Sequence, residues 1–418
     1  MLASKPKPLD YIKVTIFGFA LSALWASLHS LILPLRVLDF VPEEEKTLWL
    51  GLLTLSGLLI AMTIQPIAGA ISDRSSFGWG RRRPYILLGA ILSILFLPGI
   101  GLASSFLALF FTYSLLQISS NLSQASYQAL IPDLVPQGKR GVASGVKSLL
   151  EILGGVAVVR AIGYFMDRYF ITESRIELWL ALGILATILA GATIFTVLTV
   201  REEGGKGGSR LSLASIILRS FKLDLKANRA FVLFLASRFL ILTALITLQR
   251  YALYFLMDVV GVDNPATVTA DLLVAVGVSM LLSVYPAGRL SDRVGRRAII
   301  VSSGLLGAVG IVFLYFSTTY IMVLISGAIL GVSGGAFMSA NWALATDLVS
   351  SDEAARYLGL TNLATAGSGA LVGLMGLIIY LFNISIPGLG YSVMLFFCFG
   401  YFIFGSLLLV KIRPSRSS

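Results

Sequence analysis

The hydrophobic positions of this chain fall into long runs that are separated by short polar segments. A helix needs about 20 apolar residues to cross the hydrocarbon core of a bilayer, and runs of that length predict transmembrane helices. The pattern therefore predicts an all-α membrane protein with twelve transmembrane helices. The predicted spans are roughly 11–33, 48–71, 84–103, 106–131, 142–165, 177–200, 230–257, 268–290, 297–317, 320–345, 357–382 and 389–411.

The composition supports this class. Hydrophobic residues make up 57% of the 418 residues and charged residues only 13%, whereas soluble domains carry about 25% charged residues. The net charge of +11 comes from Lys and Arg in the loops between spans, which indicates membrane orientation rather than a nucleic-acid partner. Their distribution places both termini in the cytoplasm of a cell-membrane protein.

The longest polar segment divides the spans six and six. We expect an N-terminal six-helix bundle at 1–200, a cytoplasmic linker at 201–229 and a C-terminal six-helix bundle at 230–418. The first part of the linker, R-E-E-G-G-K-G-G-S at 201–209, is rich in Gly and Ser, which favour flexibility. It continues with mixed apolar and basic residues that are typical of an interfacial amphipathic helix.

Two short motifs occur once in each half. The segment 69–83 contains G-A-I-S-D-R and, after a short loop, G-R-R-R, and the segment 288–297 reads G-R-L-S-D-R-V-G-R-R. A second pair, A-L-I-P-D-L-V at 129–135 and A-L-A-T-D-L-V at 343–349, ends spans four and ten. Such an internal echo indicates two structural repeats.

Twelve spans, a basic central loop and the doubled loop motif resemble the major facilitator superfamily of secondary transporters. A closer resemblance, to cation-coupled sucrose and glycoside transporters, rests on W-A-S-L-H-S-L-I-L-P at 25–34 and D-R-S-S-F-G-W-G-R-R-R-P-Y at 73–85. The resemblance implies a major facilitator fold of two six-helix bundles. A pigment-associated branch carries a similar loop, so a non-transporting membrane assembly factor with the same fold is an alternative.

Features that both halves share are expected to form gate or scaffold, because both bundles need them. Asp73 and Asp292 can accept hydrogen bonds from a facing helix N-terminus. Asp133 could pair with Arg140, and its counterpart in the second half could do the same. The predicted gate residues are Gly69, Asp73, Arg74, Arg82, Asp133, Arg140, Gly288, Asp292, Arg293, Asp347 and Arg356.

Features found in one half only are better candidates for the substrate site. Span four carries four amides spaced four, three and four residues apart, which lie on one helical face. They suit a hydroxyl-rich ligand or hold helices together. In span one, Trp25 and His29 share a face, and a Trp beside polar groups suits a sugar. The predicted substrate-binding residues are Trp25, His29, Gln117, Asn121, Gln124, Gln128, Arg238, Asn341 and Trp342.

Buried charges are the remaining candidates. Glu151 is the only acid well inside a span and Lys147 lies one turn earlier. This pair either carries the coupling proton or only orients span five. Arg238 has no acid at helical spacing. It can bind an anionic substrate group or pair across the halves with Glu151.

The sequence indicates no enzyme. It lacks a phosphate-binding G-x-x-x-x-G-K-[ST] loop, and its single His and single Cys offer neither a catalytic triad nor metal-ligand spacing. We expect no cofactor and no bound metal. The leading expectation is proton-coupled uptake of a sugar or glycoside by alternating access, with a proton or another cation as co-substrate. The alternative is transport of an organic anion or export of an amphipathic compound.

Overall fold

The computed structural model describes residues 7–75, 77–202, 229–347 and 354–410. Every regular element in these ranges is a helix, which confirms the predicted all-α class. Eleven spans in them are long and apolar enough to cross a membrane. The predicted fourth span is the helix Phe106–Gln128, which is long enough for a bilayer but rich in amide and hydroxyl side chains. The predicted amphipathic part of the linker falls in 203–228, outside the described residues.

The first half of the chain contains nine α-helices in the described residues. They are α1 (Pro8–Ser27), α2 (Leu33–Leu38), α3 (Lys46–Asp73), α4 (Arg83–Leu102), α5 (Phe106–Gln128), α6 (Leu130–Leu134), α7 (Arg140–Ala157), α8 (Val159–Thr172) and α9 (Arg175–Thr199).

The second half contains six α-helices in the described residues. They are α10 (Arg229–Phe255), α11 (Pro265–Val294), α12 (Arg296–Tyr315), α13 (Tyr320–Asp347), α14 (Ala354–Ser385) and α15 (Leu389–Val410).

The chain divides into two compact units. The first lies within Met1–Pro42 and Ser56–Leu213, and the second within Glu43–Leu55 and Ala214–Ser418. In the first unit α1 packs on α7 and α9, and α4 packs on α5 and α9. In the second unit α10 packs on α14 and α15, and α12 packs on α13 and α15. In each unit the first and the third long span thus both pack against the last one, so the two units have the same helix arrangement.

The start of α3 packs within the second unit through a buried charge. Lys46, which is 3% exposed, places its Nζ 2.6 Å from Asp258 Oδ1 and 5.2 Å from the centre of the Tyr254 ring. The Tyr391 hydroxyl donates to the other carboxylate oxygen of Asp258. Burial of a Lys side chain costs free energy unless an opposite charge is close by, and the Asp258 carboxylate supplies that charge.

The two copies of the loop motif share two local features. Ser72 Oγ donates to the Gly69 carbonyl at 2.9 Å, and Ser291 Oγ donates to the Gly288 carbonyl at 2.7 Å. The loop then turns at Gly80 in the first copy, with φ +135°, and at the equivalent glycine of the second copy, with φ +103°. Because side chains disfavour these φ values, the motif keeps a glycine at this turn in both halves.

Two long helices contain a π-helical turn near one end. Leu28–Ile32 separates α1 from α2 and contains His29, and Leu256–Val260 follows α10 and contains Asp258. A π-helical turn re-aims the side chains that follow it and is frequent at functional sites. The π-helical turn in the first unit therefore makes His29 a candidate functional residue.

Candidate functional site

A chain of hydrogen bonds joins five polar side chains inside the first unit. His29 Nε2 lies 3.0 Å from the Tyr113 hydroxyl, which accepts from Gln117 Nε2 at 2.7 Å. Gln117 Oε1 accepts from Asn121 Nδ2 at 3.0 Å. Asn121 Oδ1 accepts from Gln65 Nε2 at 2.7 Å. We call these five side chains the polar chain.

The polar chain is assembled from three helical segments. Tyr113, Gln117 and Asn121 recur every four residues in α5, a spacing that puts them on one face. His29 comes from the π-helical turn and Gln65 from α3. The three α5 side chains are at most 6% exposed. Buried amides and hydroxyls are stable only when they are hydrogen-bonded, and here they satisfy one another.

Trp25 places an aromatic surface beside the polar chain. Its ring stacks on His29 with centroids 4.8 Å apart and meets Tyr113 edge to face at 6.3 Å. Trp25 is partly exposed. An aromatic face next to groups that donate and accept hydrogen bonds matches a ring that carries hydroxyl groups.

A glycine in α3 makes room for this arrangement. A Cβ atom on Gly57 would overlap Tyr113 Oη and Gln117 Nε2. The absence of a side chain at this position therefore lets α3 approach the centre of the polar chain.

The four amides predicted on one face of span four have different environments in the structure. Gln117 and Asn121 belong to the polar chain. Gln124 is partly buried and has no hydrogen-bond partner among the described residues, and Gln128 is exposed at the end of α5.

Sequence reasoning missed two members of the polar chain. Tyr113 lies four residues before Gln117, so extending the stripe by one turn would have found it. Gln65 lies on another helix, and no spacing in the sequence links it to Asn121.

Glu151 and Lys147 form the predicted pair on α7. Glu151 Oε1 lies 3.7 Å from Lys147 Nζ, and the two side chains are 35% and 25% exposed. Glu151 has no other ionic partner within the described residues. Lys147 Nζ also lies 5.6 Å from the centre of the Tyr127 ring, whose hydroxyl donates to the Thr15 carbonyl at 3.0 Å. One carboxylate with one loosely held cation can be neutralised by a proton or by a closer approach of the cation.

Arg238 lies inside the second unit and is held by neutral groups. It is 3% exposed. Its Nη1 donates to Asn341 Oδ1, and its Nε and Nη2 donate to Thr365 Oγ1 at 3.3 and 3.2 Å. The guanidinium carbon lies 5.2 Å from the centre of the Trp342 ring. The structure thus unites three predicted site residues with Thr365, which sequence reasoning missed because nothing in the sequence links α14 to α10. Pairing of Arg238 with Glu151 stays a prediction.

The loop motif of the first half forms an ionic network around Arg82, which is 5% exposed. Arg82 Nε donates to Asp133 Oδ2 at 2.8 Å, and its two Nη atoms donate to Ser72 and Asp73. Its backbone N–H donates to Glu202 at 2.8 Å. These bonds tie the end of α3, the loop and α6 to the residues after α9.

The pairing of Asp133 with Arg140 expected from the sequence is wrong. Arg140 donates to the carbonyls of Val135 and Pro132, because both oxygens of Asp133 are already taken by Arg82 and by Arg81 at 2.7 Å. The bond to Asp133 raises the pKa of Arg81 above its usual value, so the Arg81 guanidinium stays charged near neutral pH.

Asp73 accepts from Arg82, and no helix N-terminus among the described residues donates to it. Of the other first-half gate candidates, Gly69 faces open space and Arg74 is exposed.

The corresponding motif of the second half is exposed. Asp292 is 70% exposed and reaches Arg296 only at 4.0 Å, and Arg293 is exposed as well. Gly288 lies close to Ser339. The side chains of Asp347 and Arg356 lie outside the described residues. The two copies of the motif thus share the serine hydrogen bond and the glycine turn but differ in their ionic contacts.

The chain was compared with known families and proteins. The sequence profile of the family described as MFS/sugar transport protein matches residues 46–408. The chain belongs to this family. It is therefore an integral membrane protein of a transporter family, it has the predicted major facilitator fold, and it is not an enzyme.

Relatives of this family member are transporters of different compounds. It is 28% identical to the sucrose transport protein SUC4 of Arabidopsis thaliana over 35% of the chain and 30% of SUC4. It is 22% identical to the multidrug resistance protein MdtG of Klebsiella pneumoniae over 81% of the chain and 80% of MdtG. The fold is similar to that of a D-xylose–proton symporter, with a TM-score of 0.73, 17% identity and 98% coverage of both chains.

Proposed function

We propose that this family member takes up a sugar or glycoside together with a proton by alternating access. The observation that supports this proposal most is the polar chain with Trp25 beside it. Its amides and hydroxyl can exchange their mutual hydrogen bonds for bonds to a ligand, so a polyhydroxylated molecule can enter without leaving buried polar groups unpaired. The names of SUC4 and the D-xylose–proton symporter agree with this substrate class.

Glu151 is the proposed proton carrier. Among the described residues its carboxylate has a single cation nearby, at a distance longer than a good hydrogen bond. Protonation of the carboxyl would release Lys147, and approach of Lys147 would release the proton. In this scheme the bundles 1–200 and 230–418 move relative to each other, both termini are cytoplasmic, and the Arg82 network is part of the cytoplasmic gate.

Transport of an organic anion or export of an amphipathic compound is the second candidate. It is favoured by Arg238, a buried cation whose partners among the described residues are all neutral. The name of MdtG agrees with export of drug-like compounds.

Ligand binding to the purified protein tests the substrate class. A ligand that prefers the native state raises the unfolding temperature, so we expect at least one member of a panel of sugars and glycosides to raise it. Gln117→Leu should abolish this shift, because it removes the centre of the polar chain. Ser114→Ala is the control, since the bond of Ser114 in the described structure goes to the Phe110 carbonyl of its own helix.

The outcomes separate the two candidates. A shift with sugars that depends on Gln117 supports the proposal. A shift with organic anions or amphipathic compounds alone, unaffected by Gln117→Leu, favours the second candidate and contradicts the first.

A further inference from the structure

We infer that the sugar or glycoside carries an acidic group and that Arg238 and Asn341 bind this group. The inference rests on the proposed function in that the ligand is a sugar or glycoside. The acid subsite consists of contacts within the second unit.

The charge of Arg238 is not balanced by the described residues around it. Its three hydrogen-bonding nitrogens reach an amide oxygen and a hydroxyl oxygen, and no described carboxylate pairs with it. A guanidinium that is 3% exposed has given up most of its hydration, and partial dipoles recover only part of that loss. An anionic ligand group would supply the missing charge.

Asn341 adds a second unsatisfied donor at the same place. Its side-chain oxygen accepts from Arg238, whereas its Nδ2 has no hydrogen-bond partner among the described residues, although Asn341 is fully buried at 0% exposure. The guanidinium has five N–H donors, and its bonds to Asn341 and Thr365 do not use all of them. The groups of this cluster that remain available for hydrogen bonds to a ligand are therefore N–H donors.

Because the unused hydrogen-bonding groups of this cluster are donors, they favour a ligand group that only accepts hydrogen bonds. A sugar hydroxyl brings a donor as well as acceptors, and its O–H would face N–H groups here. An ionised carboxylate, phosphate or sulfonate brings acceptors only and forms charge-assisted bonds with a guanidinium. Among these, a planar carboxylate matches the guanidinium fork, so a sugar acid or an acidic glycoside is the expected class.

Thr365 and Trp342 hold the guanidinium in place. Thr365 Oγ1 accepts from both Nε and Nη2, and its own hydroxyl donates to the Thr361 carbonyl at 3.1 Å, which orients its acceptor side toward Arg238. Trp342 lies against the guanidinium face and is itself 40% exposed. The indole is thus positioned to contact the remainder of the ligand while the acidic group reaches Arg238.

Matched neutral and acidic ligands test the inference. Binding of glucose and glucuronate, galactose and galacturonate, and methyl glucoside and methyl glucuronide is measured on the purified protein by calorimetry at constant pH. Benzoate and inorganic phosphate serve as anions without a sugar. We expect the acidic member of at least one pair to bind at least tenfold more tightly than its neutral partner.

Substitutions of Arg238 assign this preference to the subsite. Arg238→Gln should reduce the preference to within twofold, and Arg238→Lys should retain part of it, because a Lys keeps the charge without the fork. Arg289→Gln is the matched control. Arg289 also lies over an aromatic ring, that of Tyr285 at 5.7 Å, but it is exposed.

The possible results distinguish the two proposals. Neutral sugars that bind as tightly as acidic ones overturn the acid subsite and leave the proposed function standing. Anions without a sugar that bind through Arg238, while no sugar binds, overturn the proposed function and retain the subsite. A preference for acidic sugars that survives Arg238→Gln overturns the assignment to Arg238.

Discussion

Gly57 controls how closely α3 approaches the polar chain. Replacing it with Ala would push a methyl group into Tyr113 Oη and Gln117 Nε2, so the variant should weaken ligand binding by at least about tenfold, or about 1.4 kcal/mol. Gly183→Ala is the control, because its Cβ would meet no atom within 4 Å, and Ala is favoured over Gly in a helix by about 0.5–1 kcal/mol. Equal effects of both variants on binding would contradict the role of Gly57.

Glu151 is the residue on which the proposed coupling depends. Glu151→Gln keeps the shape of the side chain but cannot exchange a proton, so substrate should still exchange across the membrane while proton-driven accumulation is lost. Glu173→Gln, an exposed acid after α8, should accumulate substrate as the parent protein does. Accumulation by Glu151→Gln in proteoliposomes with an imposed pH gradient would exclude Glu151 as the carrier.

At the residue scale, the sequence predicts which side chains lie together on one face of a single helix. Gln117 and Asn121 are found because a spacing of four residues places them on one face, and Lys147 is found beside Glu151 for the same reason. Gln65 and Thr365 are missed because their partners lie on other helices, and a contact between helices leaves no periodic signal.

The loop motif has different ionic contacts in the two halves. Asp133 accepts from two arginines and is 20% exposed, whereas Asp292 is 70% exposed with one partner at 4.0 Å. Asp133→Asn should therefore lower the free energy of unfolding by about 1–3 kcal/mol, and Asp292→Asn by less than about 1 kcal/mol. Thermal unfolding in detergent measures both, and a larger loss for Asp292→Asn would contradict the observed contacts.

At the scale of elements, hydrophobic runs locate helices but not their irregularities. The predicted second span, 48–71, differs from α3 (Lys46–Asp73) by two residues at each end. The predicted fifth span, 142–165, is two helices that meet at Val158. Neither this break nor the π-helical turn at His29 alters the apolar pattern, so the pattern cannot reveal them.

At the scale of the whole molecule, the fold class follows from composition because bilayer thickness fixes span length. The repeat follows from the doubled motif and reappears as a shared helix arrangement in the two units. The ionic contacts that distinguish the two motif copies cannot be predicted from the sequence, because the tertiary structure brings Arg82 to Asp133. The same limit led to the wrong expectation that Asp133 pairs with Arg140.

In the proposed mechanism, sugar and proton cross the membrane together. The direct test adds sugars and glycosides, neutral and acidic, to liposomes that contain the protein and a pH-sensitive dye in the lumen. We predict that at least one of them enters and acidifies the lumen with the parent protein and fails to acidify it with Glu151→Gln. Entry of a sugar without acidification by the parent protein would contradict the coupling, and entry of no sugar would contradict the proposed substrate class.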